Sequence, residues 1–370
     1  MSARFLTVVL ERAFNMRDGF GREIDYMRIS VIDSCNLNCY YCNPCDNNEH
    51  CHALNILSVK EVLCIVRAAT RLGIKHFRLT GGEPLLHPQL DEMVLQIKKI
   101  SGVSSVSLTT NAVLLAQHAK WLKEAGIDSI NVSLDTIDAS EYERITKKPL
   151  LEEVKHGINA AIECRIRVKI NVVLTPQTDV VALTRYVAKK GTDIRFIEMM
   201  PVGEGHTNGV EPYKKVIGTL SKLYGEPCRI NTEKTKEINS GNDKRKIPDN
   251  GPAEYYIFPE LGIRVGLIQA IHGKFCDTCN RIRVTADGRL MPCLGSSVTM
   301  DLVPDSWDFA DDAEKDFSIV RALRAAIKAK PRCHNFNDNA VTYTKTTETK
   351  TTEIEAAEVN AARNMSRIGG

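Results

Sequence analysis

The sequence predicts an α/β fold whose main body is an incomplete TIM-type βα barrel of six strand–helix units. Two observations lead to this class. Between residues 24 and 203, β-branched apolar runs alternate with amphipathic helical patterns, which is typical of parallel strands with crossover helices. Polar or glycine-rich turns follow the strands, and the alternation stops after six units, short of the roughly eight that close a barrel.

The predicted elements follow one another in a regular order. Ser58 and Glu61 form a capping-box pattern at the start of the first helix, and Gly73 and Gly126 end helices. Because the strands run parallel, the loops that follow them should share one face, where sites in such folds lie. Strands are predicted at 24–33, 74–79, 103–109, 127–134, 166–174 and 194–199, and helices at 58–72, 89–100, 116–125, 151–163 and 179–190.

The rest of the chain is less regular. A polar stretch at 231–252 precedes two strand-like pieces, AEYYIF and IRVGLIQ, and a second group of cysteines, which together predict a smaller C-terminal module. The last residues are rich in Thr, Lys and Glu and predict a flexible, low-complexity tail. The predicted segments are 1–23, 24–203, 204–335 and 336–370.

Composition excludes some classes of function. The chain has 49 basic and 46 acidic residues, so no global field points to nucleic acid or to a membrane surface. No stretch reaches the roughly 18 apolar residues of a membrane span, and MSARFLTVVLERAF is too short and charge-interrupted for an export signal. We therefore expect a cytoplasmic protein, in which 12 cysteines indicate metal or redox ligands rather than disulfides.

The first cysteine group follows the first predicted strand. Cys35, Cys39 and Cys42 fall as C-x3-C-x2-C in DSCNLNCYYCNP. Three thiolates can hold three irons of a cubane and leave the fourth iron open for an exchangeable ligand, whereas most clusters take four thiolates. The alternatives are buried free thiols or a zinc knuckle, for which Cys45 or Cys51 would supply the fourth ligand.

The second cysteine group lies in FCDTCNRIRVTADGRLMPC. Cys276 and Cys279 form a C-x2-C, and Cys293 follows, which on spacing alone also fits a zinc ribbon. Arg281 and Arg283 occupy alternate positions of a predicted strand, so both side chains should point the same way. Two guanidiniums on one face suit a polyphosphate, and the alternative is a solvated strand face.

The first group and the turn after the second strand together resemble a known signature. An aromatic residue precedes the last cysteine of the first group, and TGGEP follows the second strand, as in radical S-adenosylmethionine enzymes. The resemblance implies a [4Fe–4S] cluster on the three cysteines, whose open iron binds S-adenosylmethionine and cleaves it to a 5′-deoxyadenosyl radical. It also implies that Gly81, Gly82 and Glu83 lie against the methionine amino group.

The second cysteine group makes the resemblance specific to one family. Together with GREIDYMRISV, FRLTGGEPLL, INVSLDT, RFIEMMPVG and MSRIGG, it is similar to the molybdenum cofactor biosynthesis protein A family, whose members are GTP 3′,8-cyclases. The resemblance implies a second [4Fe–4S] cluster in the C-terminal module, which binds the guanine end of GTP. The alternatives are a radical S-adenosylmethionine enzyme that modifies a peptide and carries an auxiliary cluster, and a structural metal-binding module.

The family's functional residues map onto matching positions. Alternation along the strands places Arg28, Arg78 and Lys169 in the barrel interior, where the alternative to a bound triphosphate is ion pairing; Asn111, Asp135 and Glu198 fit either scheme. The resemblance implies contacts to S-adenosylmethionine from Tyr41, Gly82, Ser133 and Met200, contacts to GTP from Arg28, Arg78, Thr109, Lys169, Arg281 and Arg283, and catalytic roles for Arg281, Arg283, Gly369 and Gly370.

The chain departs from the family at two places, and the family implies partners. Asn43 stands where the family more often has an apolar residue, and the tail before the final Gly-Gly is unusually rich in Thr and Lys. Family members use an electron donor protein and pass their product to a cyclic pyranopterin monophosphate synthase. A homodimer is a further expectation, and no nucleic acid or membrane partner is expected.

Overall fold

The computed structural model describes residues 16–42, 55–202, 209–230, 251–296, 299–302, 312–334 and 336. Its strands are β1 Tyr26–Ser30, β2 His76–Thr80, β3 Ser105–Thr110, β4 Ser129–Ser133, β5 Arg167–Val173, β6 Asp193–Ile197, β7 Cys228–Arg229, β8 Glu254–Ile257, β9 Arg264–Ile268, β10 Arg281–Val284, β11 Arg289–Met291 and β12 Met300–Asp301. Its helices are α1 Val59–Arg71, α2 Leu90–Lys98, α3 Leu115–Glu124, α4 Ala139–Thr146, α5 Leu151–Glu163, α6 Val180–Lys189, α7 Gly218–Tyr224 and α8 Asp312–Lys328.

The predicted fold class is confirmed. All strands join one sheet in the order β12-β11-β10-β1-β2-β3-β4-β5-β6-β9-β8-β7, and its two end strands do not pair with each other. Strands β1 to β6 are parallel neighbours, and the helices after them cover one face. The result is an open, partial barrel, in which six βα units form the central part of the sheet.

The C-terminal residues extend this same sheet at both edges. AEYYIF and IRVGLIQ become β8 and β9, and β9 pairs parallel with β6. At the other edge β10 pairs parallel with β1, and β11 and β12 follow in antiparallel order. The module therefore flanks the six barrel strands on both sides.

Each barrel strand has an apolar and a polar face. In β1, Met27 and Ile29 are fully buried in the core beneath the helices. The alternate residues, Tyr26, Arg28 and Ser30, lie on the opposite face, which lines the barrel interior. Polar side chains recur on that face in the neighbouring strands, so the interior is a polar surface rather than a packed core.

Local signals match the structure at several element ends. The Ser58 hydroxyl accepts from the Glu61 N–H, and the Glu61 carboxylate accepts from the Ser58 N–H, which is the predicted capping box. The sequence does not predict α4, α7 or α8. Helix α4 has a signal of its own, because the Asp138 side chain accepts from the Glu141 N–H at 2.8 Å and caps it.

Candidate active site

The first cysteine group lies on the loop after β1, packed against α4. The Asn38 N–H donates to the Thr146 carbonyl at 3.0 Å, so the loop satisfies a carbonyl at the end of the helix. Burial raises the pKa of Cys35 to about 11 and that of Cys42 to about 12, and the pKa of Cys39 is raised by burial and by the other two thiols. Neutral thiols are favoured here unless positive charge is supplied, as by the irons of a cluster.

The glycine turn after β2 packs directly on the segment that enters this loop. The Gly82 N–H donates to the Ile32 carbonyl at 2.8 Å, and the Glu83 N–H donates to the Ser34 carbonyl at 2.8 Å. A Cβ on Gly82 would lie 2.2 Å from the Ser34 carbonyl oxygen, and one on Gly81 would lie 2.4 Å from that of Ile32. Glycine is therefore required here by the cysteine loop itself, whatever else the turn contacts.

A buried carboxylate links this turn to the cysteine loop through β3. Glu83 is 1% exposed and accepts from the Thr110 hydroxyl and the Asn111 N–H, both at 2.7 Å. Burial raises the pKa of Glu83 to about 7. The Asn111 amide in turn donates to the Asn36 side chain at 2.8 Å and lies 3.8 Å from the Cys35 sulfur. The three loops therefore hold one another in place.

A second carboxylate holds the other side of the cysteine loop. The Tyr41 hydroxyl donates to Asp135 Oδ2 at 2.5 Å, and Asp135 Oδ1 accepts from the Val173 N–H at 2.8 Å. Burial raises the pKa of Asp135 to about 6. Tyr41 and Ser133, both implied as S-adenosylmethionine contacts, line a cavity of about 40 Å³ that Cys39 also lines. The structure thus brings these two residues to the first cysteine group.

The remaining residues implied for S-adenosylmethionine lie on neighbouring loops. Gly82 is at the end of β2, and Met200 follows β6, where it packs with Val202 and Met291. Glu198, on the same loop as Met200, is buried, accepts from the Ile271 N–H at 2.7 Å and pairs with His272. Asn111, Asp135 and Glu198 are all engaged in holding loops together.

The two cysteine groups lie at opposite ends of the sheet. Cys35 follows the carboxyl end of β1, whereas Cys279 precedes β10, which runs parallel to β1 with Arg281 opposite Tyr26. Strand β11 is antiparallel to β10, so Cys293 returns to the level of Cys279. At about 3.3 Å per strand residue, the length of β1 separates the two groups by on the order of 15 Å.

Three arginines stand side by side between the two groups. Arg28 of β1 lies in register with Arg78 of β2 and with Arg283 of β10. Burial lowers the pKa of Arg28 well below its ordinary value, and the neighbouring Arg283 and Arg78 lower it further. Burial alone would raise the pKa of the Tyr26 phenol, but Arg78 and Arg28 lower it. The interior is strongly electropositive here and favours an anion.

The opposite wall adds two buried cations. Lys169 on β5 is 5% exposed and lies in register with Asn131 on β4. Arg195 on β6 is 4% exposed, and its Nε donates to Asn171 at 2.9 Å. Arg195 is not among the residues that the sequence predicts for the site. Strand alternation could have indicated it. Arg195 lies in register with Asn171, which is two positions along β5 from Lys169, so all three side chains share the interior face.

Several interior polar atoms have no hydrogen-bond partner within the described part of the chain. They are Thr109 Oγ1, Asn131 Oδ1, Arg195 Nη2 and Arg281 Nε, and each is buried. Buried polar groups in native proteins are almost always satisfied by protein, water or ligand. A polyanionic ligand with hydroxyl and ring nitrogen groups would supply partners of both kinds.

The second cysteine group forms at the amino end of β10. Cys276 and Cys279 lie on a short helical turn, and Cys293 follows β11. Burial raises the pKa of Cys276, and the nearby Cys293, Cys279 and Cys333 contribute to this rise. Proximity of Cys333 is not predicted from its sequence position. Among the described residues, no three His, Cys, Asp or Glu side chains form a group that could hold a single metal ion.

Two cations lie against Cys279. Burial would raise the pKa of its thiol, but the Lys330 ammonium and the Arg281 guanidinium lower it. Arg281 also stacks over the Phe275 ring, with its guanidinium carbon 5.4 Å from the ring centroid. Positive charge at this group favours thiolates and therefore suits an iron–sulfur cluster.

Some predicted site residues lie outside the described residues. These are Gly369 and Gly370, the tail before them, the loop residues Asn43, Cys45 and Cys51, and segment 1–15. No helix among those described is long and apolar enough to cross a membrane.

An open parallel βα sheet with three thiols after its first strand, and a glycine turn packed on them, defines a radical S-adenosylmethionine enzyme. Sequence-family comparison agrees: the Radical SAM superfamily model matches residues 29–182, and the Molybdenum Cofactor Synthesis C model matches residues 192–336. The GTP 3′,8-cyclase of Clostridium perfringens (strain SM101 / Type A) is 35% identical over 324 residues, which cover 87% of this chain and 95% of the relative. That of Peptoclostridium acidaminophilum is 37% identical over 328 residues, 87% of this chain and 94% of the relative. The chain belongs to the GTP 3′,8-cyclase family, and membership implies a [4Fe–4S] cluster and S-adenosylmethionine as cofactors.

Solved structures share the fold at low sequence identity. Streptococcus suis SuiB bound to precursor peptide SuiA has a TM-score of 0.54 at 14% identity, covering 87% of this chain and 69% of that one. Native anSMEcpe with bound AdoMet and Cp18Cys peptide has a TM-score of 0.50 at 18% identity, covering 82% and 83%. These similarities support the barrel architecture alone.

Proposed function

We propose that the chain converts GTP to (8S)-3′,8-cyclo-7,8-dihydroguanosine 5′-triphosphate in molybdenum cofactor biosynthesis. The observation that carries this proposal is the row of Arg28, Arg78 and Arg283 between the two cysteine groups. A substrate held there would have its anionic end in a strongly positive interior and would span the distance between the groups. Family membership supports the same reaction.

The chain's own residues suit the cofactors. Cys35, Cys39 and Cys42 would hold the first cluster, and Tyr41 and Ser133 beside Cys39 would contact S-adenosylmethionine. When bound, these groups would supply a 5′-deoxyadenosyl radical for hydrogen abstraction at C3′ of GTP. Closing the C3′–C8 bond would then need one electron and one proton to complete the 7,8-dihydro product. The second cluster is proposed on Cys276, Cys279 and Cys293, where neighbouring cations favour the thiolate of Cys279.

The interior side chains would bind GTP. The three arginines of the row and Lys169 would neutralise the triphosphate, because charge-assisted, bidentate contacts are the strong ones for phosphate. Arg195 is added to this set because its Nη2 is buried and has no hydrogen-bond partner among the residues that the structure describes. Thr109 and Arg281 would contact the nucleoside, because each has a buried polar atom with no partner in the described ranges. The resemblance adds Arg283, Gly369 and Gly370 to Arg281 as catalytic residues.

Metal analysis tests the cluster assignment. After anaerobic reconstitution we expect about eight irons per chain from two cubanes. Cys276→Ala should leave about four, since one cubane would remain, and the exposed Cys228→Ala is the matched control. Zinc at one or two per chain would refute the enzyme assignment, and an undiminished iron content in Cys276→Ala would refute the second cluster.

Product analysis tests the substrate. Reconstituted protein with reductant, S-adenosylmethionine and GTP should form 5′-deoxyadenosine and the cyclic nucleotide together. Arg281→Ala should lose the cyclic nucleotide. If 5′-deoxyadenosine forms equally with and without GTP, the substrate assignment fails. That result would favour the peptide-modifying alternative. The C-terminal family match and the GTP 3′,8-cyclase relatives argue against this alternative.

The partners follow from the chemistry. The reaction needs electrons, and we propose a small redox protein as their donor. We propose that the product passes to a cyclic pyranopterin monophosphate synthase. The cytoplasmic location and the homodimer stay predictions.

A further inference from the structure

Lys330 joins the two backbone segments that carry the second cysteine group. The residue is 3% exposed. Its Nζ donates to the Arg281 carbonyl at 2.8 Å and to the Pro292 carbonyl at 2.9 Å. Arg281 lies two residues after Cys279, and Pro292 immediately precedes Cys293. One ammonium group therefore fixes the spacing of two of the three thiols.

The ammonium of Lys330 is buried without a nearby carboxylate in the described part of the chain. No Asp or Glu among the described residues lies within ion-pairing distance of its Nζ, although a buried ammonium requires compensation. Arg22 provides a contrast on the other side of the same group. Its buried guanidinium donates to the Cys276 carbonyl at 2.6 Å, but Asp18 pairs with it at 2.5 Å and neutralises it. Among the described residues, Lys330 therefore lacks the carboxylate partner that Arg22 has.

We propose that Lys330 is a positioning residue for the second cluster, in which it holds the Cys279 and Cys293 segments and supplies positive charge to the anionic cubane. This inference rests on the proposed function, because it requires that the second cysteine group binds a cluster. A cubane with thiolate ligands carries net negative charge, and reduction adds one more. A nearby fixed cation therefore favours the reduced state as well as cluster binding.

A purely structural role makes a different prediction. If Lys330 only anchors the end of α8, its replacement changes the stability of the chain but leaves the reduction potential of a retained cluster unchanged. Lys330→Arg keeps the charge, Lys330→Met removes it, and Lys330→Gln keeps N–H donors without charge. Lys328→Met is the matched control, because Lys328 is the exposed last residue of α8, two positions before Lys330.

The experiment uses the full chain with Cys35, Cys39 and Cys42 changed to Ala, so that all iron belongs to the second group. Iron per chain is measured after anaerobic reconstitution, and the midpoint potential is measured by redox titration with an EPR readout. The parent for comparison is this triple-Ala chain with Lys330 intact. We expect Lys330→Met to bind less than half of the parent's iron, or else to retain the iron with an equilibrium constant for cluster reduction that is at least tenfold smaller. A tenfold change corresponds to about 59 mV in the midpoint potential for one electron. Lys330→Arg and Lys328→Met should stay within threefold of the parent.

Several outcomes would overturn the inference. Lys330→Met with full iron and an unchanged potential contradicts it, and so does Lys330→Arg behaving like Lys330→Met. If Lys330→Met does not fold, as judged by circular dichroism, Lys330→Gln decides by the same criteria. If the parent chain binds no iron, the second cluster itself is refuted. If the parent binds its full iron and the Lys330 variants do not differ from it, only the role of Lys330 is refuted.

Discussion

Replacing Gly82 by Ala should separate the glycine turn from the cysteine loop. The added Cβ would lie 2.2 Å from the Ser34 carbonyl oxygen and 2.5 Å from that of Asp33, whereas real Cβ contacts essentially never fall below 3.0 Å. The obstacle is backbone on the segment leading to Cys35, so no side-chain rotation relieves it. Overpacking of this kind costs roughly 1–3 kcal/mol, and relief requires a backbone shift of about an ångström.

Thermal unfolding of the apo chain and iron content after reconstitution measure this effect. We expect Gly82→Ala to melt at a lower temperature and to lose iron from the first cluster, because the shift displaces the loop that carries its ligands. Gly218→Ala is the matched control, since a Cβ there meets nothing within 4 Å and the backbone is helical. Ala in a helix is favoured over Gly by up to about 1 kcal/mol. Equal melting temperature and iron content in the two variants would refute the packing argument.

Three further predictions concern single side chains. Arg195→Met should raise the KM for GTP at least tenfold, because a hydrogen bond to a charged group contributes about 1.5–3 kcal/mol. Steady-state kinetics test this, with the exposed Arg185→Met as the control variant. Cys333→Ser should keep full iron and turnover because its side chain is exposed, and lost iron would make it a ligand. The raised pKa of Glu83, about 7, means that the folded chain holds its proton more tightly than the unfolded chain. The protonated Glu83 therefore stabilises the folded chain fully below about pH 4.5, and roughly 3 kcal/mol of unfolding free energy is lost as the pH rises towards 7. Urea unfolding at a series of pH values measures this loss. Glu83→Gln should lack the pH-dependent component, whereas the exposed Glu124→Gln should retain it.

The barrel strands are predictable because their signals are local. β-branched runs and the Ser58–Glu61 capping box are read within a few residues, and both occur where the sequence predicts them. The pairing of β10 with β1 is different, because Arg281 and Tyr26 meet across most of the chain length. No local pattern specifies a neighbour so distant in sequence. The sequence therefore predicts a strand at Arg281 without predicting the edge that it joins.

The site residues also fall into those that the sequence indicates and those that only the tertiary structure brings together. Motif spacing singles out the six clustered cysteines. The family resemblance supplies Arg28, Arg78 and Lys169, whose strand alternation is compatible with the interior, and neither indicates Arg195. Lys330 and Cys333 reach the second group only because α8 packs along α1, where Arg71 and Asp316 form an ion pair at 2.7 Å. Tertiary packing decides such proximity, and no spacing rule between Cys293 and residues 330–333 expresses it.

Strand β1 explains how one sheet can serve two cysteine groups. Its carboxyl end leads to Cys35, and its parallel pairing with β10 brings the segment of Cys279 to its amino end. Arg28, midway along β1, has an arginine in register on both neighbouring strands. An antiparallel β10 would have placed Cys279 beside Cys35 and removed the space between them. Under the proposed function, the parallel direction of that single pairing sets the length of the substrate that bridges the two groups, and a nucleoside triphosphate lying along the 5 residues of β1 would match it.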